Sequence, residues 1–63
     1  MATYTIHIID ADGCDMTGYD DRESRANAIG RVVELLEDDE YLQAGAVRGE
    51  VRIGSDVVWQ KTI

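Results

Sequence analysis

The stretch Asp20 to Gln43, DDRESRANAIGRVVELLEDDEYLQ, constrains this chain most, because it alone has helical periodicity over a useful length. Ala26, Ile29, Val32, Val33 and Leu36 recur at spacings of three and four, the pattern of one helix face. Asp20 with Glu23 fits a capping box, so the helix is expected from about Asp21 to Asp38. A domain of about this size buries only ~60% of the surface its unfolded chain exposes. The 63 residues therefore suffice for one two-layer core and no more. A single helix in such a core needs a sheet to lie on.

The flanks supply that sheet. Ala2 to Ile9 alternates, with Tyr4, Ile6 and Ile8 on one face and Thr3, Thr5 and His7 on the other. Asp10 to Tyr19 reads as a loop, marked by Gly13, Gly18 and turn-favouring polar residues. Ala44 to Ile53 and Val57 to Ile63 read as two strands around Gly54-Ser55-Asp56. That register sets Ile53 against Val57, Val51 against Trp59 and Val47 against Ile63, all on one side. Arg48, Glu50, Arg52, Val58, Gln60 and Thr62 take the other side, which is expected to be wet.

The expected fold is α+β, a single domain over residues 1–63 with order β-α-β-β. It is a three-stranded antiparallel sheet of order 1-3-2, with one helix packed on one face and a right-handed crossover. Trp59 then falls in the central strand as an ordinary core residue. Gly30, in mid-helix at a cost of ~1 kcal/mol against Ala, is expected either where a strand comes close or as a neutral flaw.

Catalytic chemistry is not expected. His7 and Cys14 are the only materials for a nucleophile and base, and nothing in the sequence brings them together. The Asp10-Ala-Asp12-Gly13-Cys14-Asp15 run begins like a calcium loop. Counting from Asp10, however, the positions that need Gly and a bidentate Glu hold Asp15 and Asp21. No metal and no cofactor are assigned. A lone cysteine cannot close an internal disulfide, which fits a reducing cytosol. With no leader or spanning apolar run, the chain is expected to be soluble and cytoplasmic, without a membrane partner.

Charge says more. Thirteen acids stand against six bases, a formal net charge of −7. Such an excess repels nucleic acid and anionic membranes and attracts basic surfaces. The acids cluster. Asp10, Asp12, Asp15, Asp20, Asp21 and Glu23 gather around the loop and helix start, and Glu34, Glu37, Asp38, Asp39 and Glu40 gather toward the helix end. A helix C-terminus carries a negative partial charge and favours Lys or Arg, so four consecutive acids there each cost roughly 0.3–1 kcal/mol. An alternative stays open: the helix stops near Glu37, and Asp38 or Asp39 caps a short turn that ends at Gly45.

The acidic runs DADGCD, YDDRES and ELLEDDEYLQ, the lack of a catalytic set and the 63-residue extent give the whole chain a family likeness. It resembles the small phage-encoded anti-CRISPR proteins of the acidic, DNA-mimic type, most closely an inhibitor of the type I-C Cascade. The resemblance implies a stoichiometric blocker, made by a phage and acting in the bacterial host cell as a monomer. Its partner would be a basic DNA-binding surface on a Cascade subunit, covered by the acids named above. Arg22, Arg25 and Arg31 depart from a uniformly anionic surface. A second reading uses the same electrostatics: an immunity or antitoxin-like protein that neutralises a basic nuclease or toxin.

Overall fold

Alternation in YTIHIID and in the last eighteen residues produces strands, and the Arg25–Leu36 periodicity produces a helix. The computed structural model describes residues 3–63, so the expected strand residue Ala2 lies outside it. The elements are β1 (Tyr4–Asp10), β2 (Asp21–Arg22), α1 (Arg25–Leu36), α2 (Asp39–Gln43), β3 (Ala46–Ile53) and β4 (Asp56–Thr62). The fold is α+β with one antiparallel sheet of order β2-β1-β3-β4.

This corrects the expected three strands, single helix and 1-3-2 order. β3 is central, and Trp59 sits on the edge strand β4, half-buried. The reason lies at Gly49. A Cβ there would run into Val32 Cγ1 of α1 and come within 3.2 Å of Leu36 Cδ1 and 3.4 Å of Ile8 Cδ1. Only a strand with a glycine under the helix lets α1 lie this close. Gly30 has nothing within 4 Å of its own added Cβ, so of its two expected readings the close approach does not hold. Because β1 pairs directly and antiparallel with β3, the connection needs no parallel crossover.

α1 starts later than the capping box suggests. Asp21 and Arg22 pair with Thr5 and Tyr4, and the Asp20 carbonyl accepts from Ile6 N at 3.0 Å. Residues held in a ladder cannot begin a helix, so Ser24 becomes the N-cap, with φ −116° and ψ 135°. Ala28, Val32, Leu35 and Leu36 form the buried face, while Ala26 is exposed and Ile29 and Val33 are half-buried. Seven apolar residues crowd this helix in two overlapping stripes, and the sheet selects one of them. At the other end Asp38 leaves helical geometry with ψ 123°, and Gly45, at φ 103°, closes α2.

The β3–β4 hairpin turns on Gly54-Ser55, with Gly54 at φ 59°. That is glycine's place at the first central position of a two-residue turn. Val51 faces Trp59 as expected, but Arg52 then faces Val57 and Ile53 faces Asp56. Val58 is the extra residue, a bulge that shifts the register by one. Ile6, Ile8, Ala28, Val32, Leu35, Leu36, Ala46 and Val51 make the core, with Tyr4, Met16, Ile29, Tyr41, Val58 and Trp59 packed against it. Each large aliphatic buried there contributes roughly 1.5–3 kcal/mol.

Candidate functional site: an acidic end and a charged sheet face

Topology decides which acids are neighbours. After β1 the chain doubles back along β1's free edge: Ile9 bridges Asp15, Met16 N donates to Ile8 O at 2.7 Å, and Ile6 N reaches Asp20 O. The tip of this excursion, Asp10 to Cys14, lies beside the start of β3, because Asp10 is opposite Ala46. α2 runs into that same start. Met16, Glu40, Tyr41 and Ala44 accordingly line one shallow depression. Asp10, Asp12 and Asp15 therefore share an end with Glu37, Asp38, Asp39 and Glu40, which corrects their expected grouping at the helix start. Asp20, Asp21 and Glu23 do lie there, at the opposite end.

The two groups are held differently. Asp10 Oδ1 accepts from the backbone N–H of Asp12 and of Cys14, both at 2.9 Å. Asp38 Oδ1 accepts from Glu40 N at 2.9 Å and caps α2, whose first turn then holds Asp39 and Glu40. These three are favourable at a helix N-terminus, not unfavourable at a C-terminus. Glu37 alone keeps the awkward place, as the C-cap of α1. Asp12, Glu37, Asp39 and Glu40 are exposed, and among the described residues none is in an ion pair.

The far group is partly neutralised. Asp20 takes Arg22 at 2.5 Å and faces Arg31 Nε at 3.6 Å, and Arg31 Nη1 lies 3.7 Å from Glu34. Arg31 Nε is buried without a hydrogen-bond partner. Asp21 accepts from the Tyr19 hydroxyl at 2.7 Å, a bond and a charge that raise the pKa of this exposed phenol. Glu23 is exposed.

The sheet face away from α1 carries a network that residue types alone did not reveal. Arg48, Glu50 and Arg52 alternate along β3 on that face, as expected, but Glu50 is only 3% exposed. Its carboxylate accepts from Arg48 Nε at 2.8 Å and from Arg52 Nε at 2.9 Å and Nη2 at 2.5 Å. Burial pushes its pKa up, but the hydrogen bonds and charges of Arg52 and then Arg48 outweigh it and leave the group below its ordinary value. The legible signal was the spacing: Arg at both i−2 and i+2 of a strand Glu puts three charges on one face.

Beside it, His7 stands opposite Glu50 on β1. Its Nδ1 is 2.5 Å from Asp15 Oδ2 and its Nε2 is 2.9 Å from Thr5 Oγ1. Burial raises the Asp15 pKa, but bonds from His7 and from Thr17 N and Oγ1 more than offset it and hold the carboxyl low. Thr5 Oγ1 also donates to Arg52 O at 3.2 Å. Among the described residues no hydrogen bond joins His7 to the exposed Cys14. Among the described residues no three His, Cys, Asp or Glu side chains gather as metal ligands, and no helix is long and apolar enough to cross a membrane. Family models, curated proteins and solved structures were compared with the chain, and none matches it.

Proposed function

We propose that this protein is an acidic inhibitor that occupies a basic, DNA-reading surface on a protein partner. Following the resemblance drawn from its acidic runs, that partner is a CRISPR Cascade effector of type I. The observation that supports the reading is the convergence of Asp12, Glu37, Asp39 and Glu40 at one end of the molecule, exposed and free of ion pairs among the described residues. Carboxylates so placed offer their charge outward. They attract Arg and Lys that would otherwise hold phosphates, and long-range attraction speeds the encounter. The loop tip and α2 both lead into the start of β3, which brings their carboxylates to the same end. Asp20, Asp21 and Glu23, at the other end, are secondary: Arg22 and Arg31 reduce their net field.

The test is competition. Purified type I-C Cascade is bound to labelled target DNA and titrated with the protein at about 50 and 200 mM salt, a range over which phosphate-directed binding weakens strongly. Displacement of the DNA at stoichiometric protein is expected. The double variant Asp12→Lys, Glu37→Lys, which leaves the α2 cap and first turn intact, should lose it while keeping the wild-type circular dichroism. Absence of displacement, or displacement by the double variant, overturns the reading. The immunity-protein alternative predicts no effect on Cascade.

A further inference from the structure

β4 forms one edge of the sheet. It is a seven-residue edge, and five of its residues, Asp56, Val57, Gln60, Lys61 and Thr62, are exposed. The other edge, β2, has two residues. Apart from Val58 O at the bulge, which accepts from Arg25 Nη2 at 3.4 Å, the β4 edge presents a row of N–H and C=O groups, the template for pairing with another strand.

We propose that two copies of this chain pair through β4, antiparallel about a two-fold axis near Trp59. The bulge at Val58 supplies the complementarity. Asp56 pairs with Ile53, Trp59 with Val51 and Lys61 with Gly49, so Asp56, Trp59 and Lys61 share the α1 side of the sheet. Counting Val58 and Trp59 as one step, Asp56 and Lys61 stand two steps from Trp59 in opposite directions. An antiparallel copy therefore sets Lys61 of each chain against Asp56 of the other, and Val57 against Gln60. Neither charge has an ionic partner within the chain among the described residues. A two-fold contact is self-complementary and closes, so it forms no filament. It also keeps the acidic ends apart. The Thr62 end of β4 lies beside Arg48 and Val47, near Asp10 and α2, so antiparallel pairing sends the two acidic ends in opposite directions.

Two paired seven-residue edges bury less than the ~1,200 Å² of a stable interface. The dimer is accordingly weak, and single chains dominate at low concentration. The proposal is independent of the inhibitor reading, because it uses neither the acidic end nor a Cascade partner.

Sedimentation velocity from about 10 µM to 1 mM, the range suited to a weak contact, decides it. Wild type should shift from one chain to two. Lys61→Glu, which removes both symmetric ion pairs, should raise the dissociation constant about 5–10-fold, and the swap Asp56→Lys with Lys61→Glu should restore it. A single species of one chain at 1 mM overturns the proposal, as does a dimer indifferent to both variants. Hydrogen exchange on wild type checks it without substitution: the outward amides of β4 gain protection with concentration, and unchanged protection across a dimerising range overturns it.

Discussion

At the scale of single residues, two glycines that look alike in sequence have opposite duties. Gly49 is the floor on which α1 rests, and Gly30 is an exposed position in α1 with open space around it. Gly49→Ala should lower stability by about 1–3 kcal/mol, the cost of forcing extra volume into a packed core. Gly30→Ala should raise it by about 0.5–1 kcal/mol through helix propensity and a less flexible unfolded chain. Urea melts of the two variants check both signs. Glu50 and Asp15 set a pH dependence. Both carboxyls are lowered in the folded state from ordinary values of 4.5 and 3.8. At acidic pH the unfolded chain therefore binds their protons first. Their stabilisation is complete above the ordinary values and disappears as pH falls through the lower folded ones. Thermal melts should decline below about pH 5, and Glu50→Gln should flatten part of that decline. A steeper decline in Glu50→Gln would refute the assignment.

At the scale of elements, α2 shows how acid can build structure. Asp38 caps it and Asp39 and Glu40 fill its first turn. Asp38→Ala should cost about 1 kcal/mol, and Asp38→Asn much less, since Asn also accepts the Glu40 N–H. Thermal melts of the pair separate the cap from the charge. The alternative of a short turn from Asp38 to Gly45 was legible in the sequence, and so were the α+β class, the buried Ile6 and Ile8 and the Val51–Trp59 pair, whereas the face expected to be wet buries Glu50 and sends Val58 to the core. Period-two and period-three-to-four patterns carry that information locally. The strand order was not legible, because either strand of the hairpin could take the centre, and the choice turned on one glycine meeting one valine. β2 was hidden for a similar reason: Asp21 and Arg22 carry no strand propensity and pair only because the loop folds back on β1. The His7–Asp15 contact depends on the same fold-back.

At the scale of the whole molecule, the question is whether charge at the acidic end serves folding or binding, and Glu37 separates the two. Asp10 and Asp38 hold loop and helix backbone, and Asp39 and Glu40 favour the α2 N-terminus, so removing any of them mixes a structural cost with a functional one. Glu37 does no such service. It is exposed, it caps α1 where a negative charge opposes the helix dipole, and three acids follow it in sequence. Glu37→Lys should therefore stabilise the protein by about 0.3–1 kcal/mol, more at low salt than at high. If the acidic end meets a basic surface, the same substitution should weaken inhibition of DNA binding by Cascade, again most at low salt. A rise in melting temperature with a fall in potency is the signature of a carboxylate kept for a partner. A rise in melting temperature with unchanged potency would move the contact away from this end of the molecule.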